Sequence, residues 1–321
     1  MEIVVGKLAG FCFGVNHAVE EANKLLDNET GIYCLGEIVH NKQVVEKLEN
    51  KGMKTVNSLD EIPDGSTVIF RAHGEAEVVY KKAEEKNLKV IDLTCGKVKA
   101  IHIKVQRNKE DSFILIVGKK SHPEVIGIKG FAGENSFVIE SQDDILDAYM
   151  EYEKTNLGKV FVVSQTTFSS SKFDDIREEI ETNFCEAEVV VDKTICDATE
   201  NRQLETRQLA KEIHNMVVIG GKNSSNTKEL VNVAKEYTDS VYPVETVDDL
   251  KEIKFNNISK IAIMAGASTP KESIEDVKIY LEKIWLRRNW YVKNIFQSIS
   301  DTICYSICIL FCIIIGGIVF I

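Results

Sequence analysis

Three cysteines of this chain share one local setting, a short apolar strand, then a turn, then the start of a charged helix. They are Cys12, Cys95 and Cys196. Backbone N–H groups in the first turn of a helix stabilise a thiolate, which is the form of cysteine that ligates metals or attacks electrophiles. Because one such unit is repeated twice more, we expect the three thiols to converge on one centre.

The metal at this centre is left open by the residues themselves. A structural zinc site is normally closed by a fourth Cys or His, and the three units contain no CxxC pair. A [4Fe–4S] cluster held by three cysteines would keep one iron without a protein ligand, and it would also supply electrons, which zinc cannot do. An iron–sulfur reductase, a non-enzymatic Fe–S redox sensor and a zinc hydrolase are the three hypotheses. The hydrolase is disfavoured because HExxH-type spacing is absent.

Polar side chains come directly after many of the other apolar strands. In open α/β sheets, ligands bind outside the carboxyl ends of the strands, so these residues are expected to assemble one polar site. The candidates are His40, His73, His122, Glu124, Thr166, Thr167, Ser224, Ser225, Asn226 and Ser268. The segment 221–227 lacks Walker spacing, but its hydroxyl and amide groups suit phosphate oxygens at a helix N-terminus. Together with the histidines it predicts a pocket for a diphosphate.

Strand-like and helix-like segments alternate along the chain, and the candidate residues lie between them. Such alternation is typical of mostly parallel α/β sheets. The cysteine units are 83 and 101 residues apart (95 − 12 and 196 − 95), which favours three similar α/β modules. We predict a body over 1–280, with lobes near 14–95, 96–195 and 196–280 and with 1–13 joining the last. Strands are expected around Val4, Tyr33, Ile69, Val90, Leu115, Val138, Val162, Val190, Val218, Val241 and Ile263.

Composition narrows the class of protein. The 321 residues carry a net charge of -11, which argues against a general nucleic-acid surface. The first residues already read as a strand and a turn, so no signal peptide is expected. Eight cysteines without a secretory signal favour a reducing compartment, and we expect a cytoplasmic protein.

An atypical hydrophobic tail is expected over 281–321. Its segment Cys304–Ile321 has no charged residue and is about long enough to cross a bilayer as a helix. Basic residues precede it and would favour a C-terminal tail anchor on a cytoplasmic body. A packed helix and a frame-change or truncation product are the other interpretations.

At this point the sequence resembles a known family, the IspH/LytB family of 4-hydroxy-3-methylbut-2-enyl diphosphate reductases of the non-mevalonate isoprenoid pathway. Nine stretches carry the resemblance in the family's order, up to about residue 280. They are AGFCFGV, GEIVHN, RAHG, LTCGKV, SHPEV, SQTTFS, ICDATENRQ, GGKNSSNT and AGASTP. The resemblance implies three lobes in a pseudo-threefold arrangement around a central [4Fe–4S] cluster.

The resemblance also implies roles for individual residues. Cys12, Cys95 and Cys196 would hold the cluster, Glu124 would be the proton source, and Thr166 and His122 would assist it. The substrate would be bound by His40, His73, His122, Thr166, Thr167, Ser224, Ser225, Asn226 and Ser268. The reaction would remove the allylic hydroxyl and give isopentenyl and dimethylallyl diphosphate. Its electrons would come from an external one-electron donor such as ferredoxin or flavodoxin, and a membrane would be a partner only if the tail inserts.

Two departures from the family pattern stand out. The family commonly has proline directly after the second cysteine, where this chain has Gly96. That change loosens the turn but removes no ligand. The resemblance also stops near Val277, so it assigns no function to the tail.

Overall fold

The computed structural model describes residues 2–255 and 258–286, and strands alternate with helices throughout this part. In chain order the strands are β1 (Glu2–Val5), β2 (Ile32–Leu35), β3 (Lys54–Val56), β4 (Thr67–Phe70), β5 (Lys89–Asp92), β6 (Phe113–Val117), β7 (Ser136–Ile139), β8 (Lys159–Ser164), β9 (Glu188–Val191), β10 (Met216–Ile219), β11 (Val241–Val244) and β12 (Lys260–Ala265). The helices are α1 (Phe13–Asn28), α2 (Lys42–Asn50), α3 (Glu77–Glu85), α4 (Gly96–Asn108), α5 (Pro123–Ala132), α6 (Ile145–Tyr152), α7 (Ser170–Asn183), α8 (Asp197–Ile213), α9 (Ser225–Lys235), α10 (Val247–Leu250) and α11 (271–286). Short 3-10 turns lie at Leu59–Glu61 and Gln142–Asp144.

The described strands form three four-stranded sheets, and every neighbouring pair is parallel. The strand orders are β3-β2-β4-β5, β7-β6-β8-β9 and β11-β10-β12-β1. If β1 is counted as the fourth strand of the last sheet, all three sheets have the order second, first, third, fourth. The expected fold of three similar, mostly parallel α/β modules is therefore confirmed.

The N-terminal strand β1 completes the sheet that the last strands of the chain begin. Glu2 pairs with Lys260, and Val5 pairs with Ile263, in a parallel register. Just past the strand, the N–H of Gly6 donates to the carbonyl oxygen of Ile263 at 2.9 Å. The turn that carries Cys12 is thus placed in space by β12.

Central strands are buried on both faces, as β6 illustrates. Phe113, Leu115 and Val117 pack into an apolar cluster with α6 and α7, whereas Ile114 and Ile116 pack into a second cluster with α4 and α5. All of these side chains are buried. Burial on both faces explains why such strands read as continuous apolar runs rather than as alternating patterns.

The edge strands β1, β5 and β9 are half-buried, and each leads to one of the three cysteine turns. The helices that follow these turns are α1, α4 and α8. Because the three sheets share one topology, the three turns occupy corresponding places in the modules. This arrangement brings together sequence segments that are far apart along the chain.

Strand β3 is an addition to the strands expected from the sequence. It has three residues and pairs with β2 at the edge of the first sheet. Two of its residues, Lys54 and Thr55, are polar, so no apolar run marks it. Short, charged edge strands of this kind hinder edge-to-edge association between molecules.

Among residues 2–255 and 258–286, no helix has both the length and the apolar character needed to cross a membrane. The segment Cys304–Ile321, for which a membrane anchor is one interpretation, lies outside the described residues.

Candidate active site

Each of the three cysteines is the N-cap residue of a helix: Cys12 of α1, Cys95 of α4 and Cys196 of α8. Each backbone N–H donates to a carbonyl oxygen in the loop that follows the adjacent strand of its sheet. The three bonds are Cys12 to Ala267 at 3.2 Å, Cys95 to Ala72 at 3.0 Å and Cys196 to Thr166 at 3.0 Å. Equivalent main-chain bonds therefore fix all three turns.

The three cysteines line one cavity together with every other candidate residue from the sequence. The candidates in its wall are His40, His73, His122, Glu124, Thr166, Thr167, Ser224, Ser225, Asn226 and Ser268. The structure thus brings together residues from all three modules. Their chemical roles stay predictions at this point.

The polar residues occupy corresponding positions in the three modules. Gly36, Gly118 and Gly220 each donate an N–H to the second strand of their own sheet, and so mark the same point in each. Four residues further along are His40, His122 and Ser224. In the loops after the third strands, the corresponding residues are His73, Thr167 and Ser268. At each of these two corresponding positions, some modules therefore carry an imidazole and others carry a hydroxyl group.

The three thiols face the same cavity from three modules. Within the described residues, their sulfurs do not form a group whose atoms all lie within 4.8 Å of one another. They are nevertheless near enough to influence one another: burial raises the pKa of Cys95, and the charges of Cys12 and Cys196 add to that rise.

Gly14 and Gly96 differ in the space that a side chain would have at each position. A Cβ at Gly14, in the first turn of α1, would lie 2.6 Å from the sulfur of Cys95, so this glycine permits close approach between two modules. No atom lies within 4 Å of a Cβ built at Gly96, so the place where the family commonly has proline has room for a side chain.

His40, His73 and His122 form a compact trio on the wall of the cavity. The ring centroids are 4.5 Å apart for His40 and His73, and 5.5 Å apart for His73 and His122. The third distance, between His40 and His122, is 5.7 Å. One ring nitrogen from each histidine lies within 4.8 Å of the other two, which is compact enough for a metal ion.

The hydrogen bond to His122 favours an anion over a metal ion at the trio. The N–H of Glu124 donates to Nδ1 of His122 at 3.2 Å, which places the proton of the neutral ring on Nε2. An N–H group can donate to a phosphate oxygen but cannot ligate a metal. The trio therefore presents at least one fixed donor.

Burial lowers the pKa of all three imidazoles. The pKa of His122 falls to about 3, mainly through burial and secondarily through the charge of His40. Burial also holds the pKa of His73 well below its usual value. For His40 the lowering of the pKa by burial is opposed by Glu37. The rings are therefore neutral at pH 7, and a polyanion among them would raise these pKa values and draw protons into the site.

Glu124 is a buried carboxyl group with a single side-chain partner residue in the described structure, Thr166. The N–H of Thr166 donates to Oε1 at 2.6 Å, and its hydroxyl donates to Oε2 at 2.8 Å. Burial raises the pKa of Glu124 to about 7, although both hydrogen bonds act to lower it. A carboxyl group with this pKa is poised to give or take a proton near neutral pH.

The third module contributes hydroxyl and amide groups. Ser224 caps α9 by accepting the N–H of Thr227 at 3.2 Å, and the hydroxyl of Ser268 donates to the carbonyl oxygen of His40 at 3.2 Å. Oδ1 of Asn226 accepts the N–H of Ala267 at 2.9 Å, which orients the amide. Its Nδ2 is buried and has no partner among the described residues, so it is available to donate to a ligand.

Arg202 also lines the cavity, and it was not among the residues expected from the sequence. It lies in the ICDATENRQ stretch on the same face of α8 as Ala198, four residues earlier. The signal in the sequence is its spacing of six residues from Cys196, which places it near the cysteine end of α8.

Comparisons with known proteins give one consistent result. A family profile described as LytB protein matches residues 3–282. The 4-hydroxy-3-methylbut-2-enyl diphosphate reductase of Clostridioides difficile (strain 630) is 40% identical over 286 residues, which is 88% of this chain and 100% of that protein. The reductase of the same name from Aquifex aeolicus (strain VF5) is 39% identical over 289 residues, covering 88% and 97%.

Solved structures with the same fold include the E-1-hydroxy-2-methyl-but-2-enyl-4-diphosphate reductase of Plasmodium falciparum. It is 32% identical, with a TM-score of 0.78 and coverage of 85% of this chain and 86% of that one. A structure of (E)-4-hydroxy-3-methyl-but-2-enyl diphosphate reductase, described as the terminal enzyme of the non-mevalonate pathway, is 38% identical with a TM-score of 0.64. That match covers 88% of this chain and 100% of the other.

Proposed function

The chain belongs to the LytB family, and from this premise we propose that it is a 4-hydroxy-3-methylbut-2-enyl diphosphate reductase. The proposed reaction removes the allylic hydroxyl with two electrons and two protons, and it yields isopentenyl diphosphate, dimethylallyl diphosphate and water. The observation that carries the proposal is the buried Glu124–Thr166 pair in the same cavity as three helix-capping cysteines. A proton donor and a metal centre there face one small-molecule site.

The three cysteines fit a [4Fe–4S] cluster with one open iron. They are the cysteines among the described residues that line the cavity, since Cys34 is buried elsewhere in the first module and Cys185 is exposed. They come from three modules and include no fourth Cys or His that would close a structural zinc site. Such a cluster, when bound, supplies one-electron transfer and a Lewis-acidic iron.

The histidine trio and the hydroxyl-bearing loops would bind the diphosphate. Nε2 of His122 is a donor, Nδ2 of Asn226 is a buried donor, and Ser224 and Ser225 lie at the N-terminus of α9. Helix N-termini and convergent N–H groups are favourable sites for phosphate oxygens. With Ser268 and Thr167 these groups surround the charged end of the substrate, which sets where its hydroxyl group lies.

Glu124 would deliver the proton that the departing hydroxyl needs. Its carboxyl group is close to its protonation point at pH 7, and the hydroxyl oxygen of Thr166 is 2.8 Å from Oε2. The Thr166 hydroxyl can accept a proton from Glu124 while donating its own to the substrate oxygen. Burial of the pair excludes water, so the proton moves along this path rather than from bulk solvent.

The electrons would come from an external one-electron donor, of the ferredoxin or flavodoxin type. The test is anaerobic purification, electron paramagnetic resonance of the reduced protein, and an assay of the allylic diphosphate with a reduced one-electron donor. We expect an iron–sulfur spectrum and formation of both five-carbon diphosphates. A colourless zinc protein, or an iron–sulfur protein that leaves the diphosphate unchanged, would contradict the proposal, the second result being that of a redox sensor.

The Glu124→Gln variant separates proton delivery from assembly of the site. Gln has the same length but no acidic proton, so turnover should fall by about 10²–10⁴-fold. Cluster content and affinity for the diphosphate should remain, because the N–H of Thr166 can still donate to the amide oxygen and the Thr166 hydroxyl can turn to accept from the amide NH2. Loss of cluster in parallel with activity would contradict the role of Glu124 as proton donor.

A further inference from the structure

Arg202 is a buried cation that the proposed reaction does not use. Its side chain is 3% exposed, and it lies on α8 in the wall of the cavity. The arginine ion pairs of the described structure involve Arg71 and Arg177, and in the same residues no carboxylate pairs with Arg202. A buried charge without a counter-charge is costly, so its presence calls for a physical reason.

All three arms of the guanidinium hold main-chain carbonyl oxygens. Nε donates to Leu8 at 2.9 Å, Nη2 donates to Gly10 at 2.9 Å, and Nη1 donates to Ala198 at 3.0 Å. Leu8 and Gly10 belong to the loop that carries Cys12, whereas Ala198 lies in the first turn after Cys196. Arg202 therefore ties two cysteine segments to each other.

Glu205 holds the same loop from the next turn of α8. Its carboxylate accepts the N–H of Lys7 at 2.6 Å and the N–H of Leu8 at 2.8 Å. Helix α8 therefore binds this loop in two ways. Glu205 accepts from N–H groups of the loop, and Arg202 donates to its carbonyl oxygens. Glu205 is engaged by the loop and, in the described structure, forms no ion pair with Arg202 within 4.0 Å.

The position of Arg202 breaks the likeness of the three modules. Because Cys12, Cys95 and Cys196 each cap a helix, the residues six positions later correspond to one another. In α1 and α4 these residues are Ala18 and Ile101, and both are buried and apolar. The fold itself therefore does not require a cation at this position.

The ionisable groups that act on Arg202 are Cys12, Cys196 and Glu205. Burial lowers the pKa of Arg202, and the negative charges of Cys12 and Cys196, with Glu205 after them, raise it. An arginine stays protonated under these opposing influences because its reference pKa is above 12. An anionic metal centre held by these cysteines would supply the counter-charge that the guanidinium otherwise lacks.

We propose that Arg202 is a positioning residue that clamps the Cys12 loop to the Cys196 helix and raises the reduction potential of the metal centre held by these cysteines. The effect on the reduction potential rests on the proposed function, whereas the clamp does not. Adding an electron makes an anionic centre more negative, and a fixed cation in a low-dielectric wall stabilises that added charge. Backbone carbonyls fix the cation without neutralising it.

The test compares Arg202→Gln, Arg202→Lys and the control Lys7→Gln, which removes an exposed charge from the same loop. The midpoint potential of each reconstituted protein is measured by a redox titration followed by electron paramagnetic resonance. Backbone hydrogen exchange of residues 7–12 is measured in cluster-free protein. The first readout reports the charge, and the second reports the clamp without any cofactor.

We expect Arg202→Gln to lower the equilibrium constant for reduction at least tenfold, which is about 59 mV for a one-electron couple. It should also speed exchange in residues 7–12 at least tenfold. Arg202→Lys should keep a potential near that of the native protein but exchange faster, because an ammonium lacks the planar fork that reaches three carbonyls. Lys7→Gln should match the native protein in both readouts.

A native midpoint potential or native exchange in Arg202→Gln would overturn the proposal. If that variant does not fold or hold the metal centre, Arg202→Lys decides: native exchange, or a tenfold fall in the equilibrium constant despite its charge, would overturn it. A chain that binds no cluster at all defeats the proposed function, and the exchange measurement then decides on the clamp by itself.

Discussion

At the scale of single residues, the central feature is the balance of forces on Glu124. Burial favours its neutral form, whereas two donors from Thr166 favour the carboxylate, and together these forces set the pKa to about 7. A fully solvated glutamate, with a pKa of about 4.3, would hold almost no proton at pH 7. The burial of Glu124 therefore keeps a proton available where the proposed reaction needs one.

The pH dependence of turnover follows from this pKa. The protonated form of Glu124 is the competent donor, and its fraction falls about tenfold for each pH unit above the pKa. We expect kcat to decline above about pH 7, as measured with a donor whose own potential does not vary with pH. Turnover that stays level up to pH 9 would show that another group supplies the proton.

The Thr166→Val variant should move this decline to higher pH. The Thr166 hydroxyl donates to the Glu124 carboxylate and so lowers its pKa, and loss of a hydrogen bond to a charged group is worth about one pH unit. Thr167→Val is the matched control, because the Thr167 hydroxyl accepts from the amide of Gln165 and does not donate to Glu124. The shift should appear in the first variant alone, whatever the loss in absolute rate.

Every site residue expected from the sequence lies in the wall of the cavity, although its role stays a prediction. Some of them, such as His40 and His73, lie in the loops that follow strands, and Glu124 lies in the first turn of α5, because strand ends and helix starts meet at one edge of a parallel sheet. Arg202 lies in a polar helix whose outer face is also charged, so composition does not separate its inner face from the outer one. The roles of the individual residues rest on the resemblance to the family and not on the pattern alone.

At the scale of elements, the cysteines are held by the starts of three helices, and the packing there is tightest at Gly14. A methyl group at this position would come within 2.6 Å of the Cys95 sulfur. We expect Gly14→Ala to displace that thiol and to lose more than half of the iron bound by the native protein, as measured by iron and sulfide analysis.

Gly96→Ala is the control for this prediction, because it adds the same methyl group beside the same cysteine, where nothing lies within 4 Å. It should keep its iron, and its free energy of unfolding should change by less than about 1 kcal/mol. Equal iron loss in both variants would contradict the prediction. It would show that replacing either glycine by alanine disturbs the helix start in general, and that the lack of space at Gly14 is not the cause.

The elements themselves were largely predictable. The eleven expected strands coincide with all the described strands except β3, because burial on both faces gives long apolar runs. The exception is three residues long and exposes Lys54, so its pairing with β2 depends on backbone hydrogen bonds that no side-chain pattern reveals. Pairing order within the sheets also needed the structure, since it depends on how helices cross over.

At the scale of the whole molecule, three sheets with one topology surround a site to which each contributes a thiol. The last sheet differs because its edge strand, β1, comes from the other end of the described chain. Its attachment depends on a single ladder with β12. The position of Cys12 therefore depends on this β1–β12 pairing and on the hydrogen bonds of Arg202 and Glu205 in α8 to the Cys12 loop.

The Val4→Pro variant tests the dependence on the ladder. The N–H groups of Glu2 and Gly6 donate to Ser259 and Ile263 on the β12 side, at 2.8 and 2.9 Å. Directions alternate along a strand, so the N–H of Val4 points to β12 and that of Ile3 points away. Loss of the Val4 bond leaves a carbonyl of β12 unpaired, which costs about 1–3 kcal/mol. We expect bound iron to be lost while hydrogen-exchange protection over residues 32–191 is retained.

Ile3→Pro is the matched control, because proline is tolerated at an edge position whose N–H faces away from the sheet. It should retain most of the iron. Loss of protection across all three sheets in Val4→Pro would indicate that the modules unfold as one cooperative unit, and the ladder would then be a general stabiliser instead of a local hold.

The pairing of β1 with β12 also sets an order of events during synthesis. Val4 pairs with Ala262, so β1 must wait for 258 further residues (262 − 4) to be made before it has its partner strand. At about 5–20 residues per second, that wait lasts roughly 13–50 s. Cys12 is the first of the three thiols to be made and the last to be fixed in place. If the proposed cluster is held by all three thiols, it can be completed only after β12 has been translated.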